Sequence, residues 1–376
     1  MPLAPMTPSR LRDLKAFDDT NAGVKGLVDA GATALPSFFH HPPENLPKPV
    51  DTARQAGGNF TIPVIDLAGA TTTDQTRRAK VVGEVLAAAK KVGFFQVVNH
   101  GVPEAAMSGM LAAVRDFHEE PVEVKRAYYT RDYARNVRYH CNMDLFRAPA
   151  AKWRDTVYMD MAPNEPAPEE TPAALRGIAA EYTRQVKRLG STLLGLLSEA
   201  LGVRSGYLEQ EAGCLDGIVV GAHYYPACPE PHLTMGATTH SDHSFITVLL
   251  QDAVGSGALQ VLIQDSDVKE EEGRWIDVHA MPGAFVVNIG DFLQLISNGR
   301  FKSVQHRVVS KKEGPRVSVA CFFQTCGEAA ATRVCSPIVS NDDNGTPPLY
   351  RSATVEELLV SFREKNGRSA LDRFRL

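Results

Sequence analysis

The chain has 376 residues, 44% of them apolar and 22% charged, with a formal net charge of −4. That length suits one large core or two closely joined lobes. The ordinary composition and mildly acidic balance give no electrostatic reason to expect nucleic acid or an anionic membrane surface as a partner.

Residues 1–60 open on a helical pattern, "RLRDLKAFDDTNAGVKGLVDAG", followed by a Pro-rich loop, "HHPPENLPKPVDTARQAGGNF". The first ten residues, "MPLAPMTPSR", contain no apolar core of a secretory leader, and no run approaches the roughly 18 apolar residues of a membrane span. Next, "IPVIDL" (62–67) reads as a short buried strand. Residues 74–93 form an amphipathic helix closed by Gly93. "FFQVVNHG" (94–101) reads as a strand ending in a turn, and 103–120 as a helix with Pro103 in its first turn. Residues 172–202 carry the longest helical pattern, long enough to buttress a sheet.

From Gly217 the character changes. "GIVVGAHYY", "FITVLLQD", "LQVLIQD", "RWIDVHA", "AFVVNIG", "SVQHRVV" and "RVSVACFF" are short runs rich in β-branched and aromatic residues, separated by turn signals. Many short strands in series predict a sandwich, jelly roll or barrel. The charge run "VKEEEGR" (268–274) reads as a solvated hairpin loop. "GSG" (255–257) lacks the strand–turn–helix context of a nucleotide loop. The six cysteines, at 141, 214, 228, 321, 326 and 335, form no C-x-x-C pair and read as reduced thiols of a cytoplasmic protein. There are no internal repeats.

The chemistry sits within this β region. His240 and Asp242, one residue apart, adjoin a strand-like run, and His306 lies in a later one. Two imidazoles and one carboxylate on a β scaffold can bind iron(II) and leave coordination positions open for oxygen and a co-substrate. Ten residues beyond His306 comes Arg316, at the head of "RVSVACFF". Strand alternation sets Arg316, Ser318, Ala320 and Phe322 on one face. An inward-facing guanidinium requires a carboxylate, because a buried unpaired charge is costly. A bound dicarboxylate would supply it through a bidentate clamp, with the Ser318 hydroxyl adding a donor.

The pattern H-x-D, a distant His, then R-x-S resembles the plant Fe(II)/2-oxoglutarate-dependent dioxygenases. "HYYPACPEPHLTMG" (223–236), the segment 275–308, "IPVIDL" and "VGFFQVVNHGV" add to the resemblance, which runs from about residue 60 to the carboxyl end. The opening "LKAFDDTNAGVKGLVDAG…FFHHPPE" is similar to the branch that holds the 1-aminocyclopropane-1-carboxylate oxidase homologs and the benzoxazinoid-glucoside dioxygenases of grasses.

The resemblance implies a double-stranded β-helix (jelly-roll) core with flanking helices. It implies a helical extension over 1–60, an amino-terminal lobe over 61–205, the oxygenase core over 206–330 and a helical segment over 331–376. It makes His240, Asp242 and His306 the iron ligands. Arg316 and Ser318 would hold the distal carboxylate of 2-oxoglutarate, with Tyr225 adding a hydrogen bond. Phe322, Phe245 and Phe146 become candidate substrate contacts. The implied reaction is oxidation, most simply hydroxylation, of a small specialised metabolite such as a benzoxazinoid glucoside, using O2 with ascorbate as reductant, in a cytoplasmic monomer.

Two positions depart from the pattern. His223 stands where Asn is frequent, and Ala227 where Pro is usual. Of the remaining candidates, His40–His41 and Trp153 ("WRDT") read as structural. Three alternatives stay open: an ascorbate-dependent oxidase of the 1-aminocyclopropane-1-carboxylate type, a zinc hydrolase, and a non-catalytic binding protein on the same scaffold.

Overall fold

The computed structural model describes residues 7–47, 61–254, 256–263, 273–325, 331–339, 347–364 and 369–376. Most of the 268–274 charge run and Cys326 therefore lie outside the described residues. The opening helical pattern divides into α1 (Pro8–Asp18) and α2 (Gly23–Asp29). The division falls where Asn21 adopts φ 54°, a left-handed conformation that ends a helix. The strand β1 (Val64–Asp66) pairs in parallel with β2 (Phe94–Val98). Only Ile65 of β1 is buried, while Val64 is 47% exposed, so "IPVIDL" is a half-covered edge strand rather than a buried one.

Between those strands lies α3 (Gln75–Lys91). Its first turn is capped by Asp74, whose carboxylate accepts from the Thr76 and Arg77 amides. The helix α4 (Glu104–Glu119) has Pro103 as its N-cap, one position before the expected one, and the single turn α5 (Val122–Lys125) follows. Two strands then appear where none was expected, β3 (Val137–His140) and β4 (Asp155–Ala162). The long helix α6 spans Ile178–Ala200 and not 172–202, because Gly177 at φ 78° breaks the pattern.

The carboxyl-terminal half supplies β5 (Gly217–Tyr225), β6 (Met235–His240), β7 (Ile246–Gln251), β8 (Leu259–Ile263), β9 (Arg274–Asp277), β10 (Phe285–Ile289), the short helix α7 (Asp291–Ile296), β11 (His306–Val309) and β12 (Arg316–Gln324). A small pair, β13 (Val334–Cys335) and β14 (Ala353–Thr354), precedes the last helix, α8 (Val355–Glu364).

Eight strands form one sheet in the order β1-β2-β10-β7-β12-β5-β4-β3, and four form a second in the order β6-β11-β8-β9. Phe94, Val286 and Tyr225 of the first sheet pack with Ala237, Leu259, Val261 and Val308 of the second in one apolar cluster. The two sheets therefore close on each other as a jelly roll, as expected. The outer face of the large sheet carries Val317, Val319, Cys321 and Phe323 into the main core with α3, α4 and α6. The Phe323 ring rests against Gly190 of α6, so the long helix does buttress the sheet. By alternation, residues 316, 318, 320 and 322 of β12 face the interior of the roll. Among the described residues, no helix is long and apolar enough to cross a membrane.

A smaller cluster fixes the amino-terminal segment. Leu14, Phe17, Phe38 and Phe39 pack on Trp153, Leu145 and Cys228, with the Phe39 and Trp153 rings edge to face at 5.1 Å. Buried Asp155, at the head of β4, accepts from the Val24 amide at 2.8 Å and the Lys25 amide at 2.7 Å. This satisfies two orphan donors in the first turn of α2.

Candidate active site

His240 ends β6, His306 begins β11, and the antiparallel register pairs the two residues directly. Strand pairing thus closes a long gap in sequence and sets the imidazole centroids 4.2 Å apart. Asp242 follows β6 by two residues. Its Oδ1 lies 3.7 Å from His240 Nε2 and 3.6 Å from His306 Nε2. One atom from each residue falls within 4.8 Å of the other two.

The remaining polar atoms of the trio are occupied. His240 Nδ1 meets the Thr238 carbonyl at 2.7 Å, and His306 Nδ1 meets the Val304 carbonyl at 3.3 Å. A carbonyl can only accept, so each Nδ1 carries the hydrogen and each Nε2 presents a lone pair. Asp242 Oδ2 accepts from Thr247 Oγ1 at 2.6 Å and from Asn288 Nδ2 at 2.9 Å. Burial pushes the Asp242 carboxyl up, but the charge of the two imidazoles when protonated, with these two donors, outweighs it and holds the carboxyl below the usual carboxylate range. Two Nε2 lone pairs and one charged oxygen converge on one point. That donor set fits a divalent iron ion and leaves room for further ligands. The His240 side chain is 33% exposed while those of Asp242 and His306 are 8% and 10%, so the site opens to one side.

Arg316 lies opposite Tyr225 on the interior face and is 4% exposed. Its Nη2 donates to Gln251 Oε1 at 2.9 Å and its Nη1 to Ser318 Oγ at 3.2 Å. Its Cζ stands 4.9 Å from the centroid of the Tyr225 ring. Among the described residues, no carboxylate comes within ion-pair distance of it. With no protein carboxylate beside it there, the guanidinium faces the interior as a receptor for an anion. Burial raises the Tyr225 hydroxyl, and the Arg154 and Arg316 charges reverse the shift to a net lowering. His223, opposite Ser318 and Thr156, shares a hydrogen bond of 3.0 Å between its Nδ1 and Thr156 Oγ1.

Of the three phenylalanines, the structure brings one to this face. Phe322 is half-buried at the interior end of β12, beside Gly221. A methyl group on Gly221 would stand 3.0 Å from the His223 ring and 3.3 Å from the Phe322 ring. Phe245 requires a correction. It has no exposed surface and packs edge to face on Phe292 at 5.6 Å, in the core on the helix side, because it precedes the alternation of β7. Phe146 packs with the amino-terminal cluster, beneath the Arg131 guanidinium at 5.4 Å. Trp153 is a buried packing residue as expected. His41 is held by the Ala151 carbonyl at 3.0 Å.

The sequence reading missed Thr247, Asn288 and Gln251. The available signal was strand alternation, which places each of them on the interior face of a β-branched run.

Residues 218–325 match the model of the 2OG-Fe(II) oxygenase superfamily. Residues 62–178 match that of the non-haem dioxygenase in morphine synthesis N-terminal domain. The chain is 46% identical to 1-aminocyclopropane-1-carboxylate oxidase homolog 1 of Arabidopsis thaliana, over 95% of this chain and 94% of that one. It is 43% identical to deacetoxyvindoline 4-hydroxylase of Catharanthus roseus, over 97% and 89%. Among solved structures, JOX2 in complex with 2OG, Fe and JA superposes with a TM-score of 0.75 at 28% identity, covering 94% of this chain and 97% of that one. The rice dioxygenase for auxin oxidation gives 0.67 at 25% identity, covering 84% and 100%. Relatives of this kind set aside the zinc hydrolase and the non-catalytic binding protein. The chain belongs to the Fe(II)- and 2-oxoglutarate-dependent oxygenases and is an oxidoreductase of the dioxygenase type.

Proposed function

We propose that His240, Asp242 and His306 hold the iron and that Arg316, Ser318 and Tyr225 hold the distal carboxylate of 2-oxoglutarate. The observation that carries this reading is the convergence of two Nε2 lone pairs and Asp242 Oδ1, each fixed by a partner on its other polar atom, inside a roll that also holds a buried arginine. Bound iron and 2-oxoglutarate supply oxygen activation, yielding succinate, CO2 and one oxygen atom for the substrate. The protein's own part is positional. Thr247 and Asn288 keep Asp242 ionised and aimed, the two backbone carbonyls fix the imidazole tautomers, and Gln251 steadies the Arg316 fork. Phe322 forms an apolar wall for the substrate, and the enclosing sheets limit water at the reacting carbon.

The net reaction on this reading is hydroxylation of a C–H bond in a plant specialised metabolite, with the benzoxazinoid glucosides as the first class to try. The amino-terminal resemblance supports the class, and the relative whose name denotes a 4-hydroxylase supports the reaction. The two segments that meet at residue 205 act as one unit on this reading, since the large sheet draws β1 to β4 and β5, β7, β10 and β12 together. The protein works as a cytoplasmic monomer, and its five described cysteines are unpaired and buried.

The test is incubation of the iron-loaded protein with 2-oxoglutarate and plant metabolite extract, following succinate and the gain of one oxygen atom by mass spectrometry. Product formed without succinate would favour the ascorbate-dependent oxidase instead.

A further inference from the structure

A second, half-buried cation stands on the interior face. Arg154, directly before β4, lies across Tyr225 from Arg316, with its Cζ 6.0 Å from the Tyr225 centroid. The guanidinium bonds the Tyr225 hydroxyl, while its Nε is enclosed and has no hydrogen-bond partner. The nearby cations are neutralised. Arg131 pairs with Asp18 at 2.7 Å, Arg138 with Asp160 at 2.7 Å, and Lys152 with Asp144 at 2.7 Å. Arg154 has no carboxylate within ion-pair distance among the described residues.

Beside it, β3 contributes His140, 1% exposed, with neither ring nitrogen bonded. His140 lies opposite Thr156 in the register, with its ring 5.5 Å from that of Tyr158. Tyr158 in turn is 6.1 Å from His223. Burial first, then Arg131, Arg138 and Arg154, lower the His140 pKa to about 3, so this imidazole is neutral and can donate one N–H. Buried polar groups without partners are uncommon and call for an explanation.

Charge balance supplies one. Iron(II) brings two positive charges, Asp242 one negative, 2-oxoglutarate two negative and Arg316 one positive. The loaded centre is therefore neutral, and Arg154 is the cation left over. A half-buried guanidinium with an enclosed, unbonded Nε and no counter-ion is costly, and an anionic substrate would reduce that cost. Gly221 keeps the floor between His223 and Phe322 clear, so the Arg154 end and the Phe322 end belong to one surface.

We infer that Arg154 and His140 form a receiving site for a carboxylate on the primary substrate, which holds the rest of the molecule along His223 and Phe322 towards the iron. This rests on the reading of Arg316 as the co-substrate clamp. It refines the substrate class from a neutral glucoside to an acid.

The test uses the full chain loaded with Mn(II) and 2-oxoglutarate, which cannot turn over. Calorimetry compares cinnamate with cinnamamide, phenylacetate with phenylacetamide, and phenyl β-glucoside. At least one acid should bind about tenfold or more tightly than its amide, the scale of a hydrogen bond to a charged group. Arg154→Gln should bring that ratio close to one, Arg154→Lys should keep part of it, and His140→Leu should reduce it. All three variants should hold 2-oxoglutarate within about twofold of the unaltered protein, which also reports that they fold.

Equal binding of acid and amide would overturn the inference, as would a preference that survives Arg154→Gln, or binding of the glucoside alone or of no probe. A loss of 2-oxoglutarate affinity in Arg154→Gln as large as that in Arg316→Lys would assign Arg154 to the co-substrate and overturn it too. Failure of the unaltered protein to bind 2-oxoglutarate would instead reject the clamp.

Discussion

Asn288 Nδ2 donates to Asp242 Oδ2 at 2.9 Å, and so ties the loop after β6 to the facing sheet through the one carboxylate oxygen that points away from the imidazoles. With the Thr247 hydroxyl on the same oxygen, the carboxylate cannot swing away from His240 and His306. Asn288→Ala and Thr247→Val should each weaken iron binding by about 10- to 100-fold, the usual cost of losing a partner behind a metal ligand. Titration of Fe(II) into the apo-protein checks this. Unchanged metal affinity in both variants would mean that Asp242 is held by other contacts.

Replacing the ligands themselves should be more severe. His240→Ala, Asp242→Ala and His306→Ala should each abolish turnover with added Fe(II) and leave the folded state intact by circular dichroism. Full activity in any one of them would reject the metal assignment.

Arg316→Lys keeps the charge but loses the planar fork that reaches Gln251 and Ser318 at once. Affinity for 2-oxoglutarate should fall by about 1.5–3 kcal/mol, the scale of a hydrogen bond to a charged group. Calorimetric titration measures it, and an unchanged constant would make Arg316 a structural residue.

Two phenylalanines should behave oppositely. Phe322→Ala should leave 2-oxoglutarate binding nearly unchanged while succinate forms in excess over hydroxylated product, because the substrate carbon is no longer positioned. Phe245→Ala should cost about 3–5 kcal/mol of stability, as expected for a large cavity in the core, with coupling unaffected in the protein that stays folded. Melting temperature and the succinate-to-product ratio separate them, and similar profiles would show that one of the two is misplaced.

Asp155 gives a pH signature. Burial raises its carboxyl to about 6, against the opposing hydrogen bonds from the Lys25 and Val24 amides. A carboxyl with a folded pKa above its unfolded one binds more protons in the folded state. Its contribution to stability is therefore greatest below the unfolded value near 4 and declines as pH rises through 6, by roughly 3 kcal/mol in all. Urea unfolding of the unaltered protein and Asp155→Asn across this range should show the decline only in the former. Parallel curves would place the titration elsewhere.

The parts legible in the sequence were those whose chemistry is local. The helices α3 and α4 follow from periodicity and a cap, the late strands from β-branched runs, and the iron and clamp candidates from short motifs. "NVRYH" and "DTVYMDMA" were not legible as β3 and β4. Val137, Tyr139, Val157, Met159 and Met161 do alternate into the core, but the facing positions, Arg138, His140, Thr156, Tyr158 and Asp160, are polar, so these runs lack the β-branched density that marks the later strands. The break in α6 depended on the backbone of Gly177. Thr247, Asn288 and Gln251 come from separate strands, and only sheet register reveals their common target. Phe245 stands just before β7, where no strand pattern in the sequence tells the core side from the interior side.

The bonds from Asp155 to α2 and the packing of Phe39 on Trp153 place the first helices immediately behind Arg154. A protein begun near residue 61, where the family domain starts, would lose that wall and leave the Trp153 face wet. Differences in what these oxygenases accept can therefore be written in residues ahead of the shared domain, and swapping that leader between relatives is a direct way to move specificity without touching the iron.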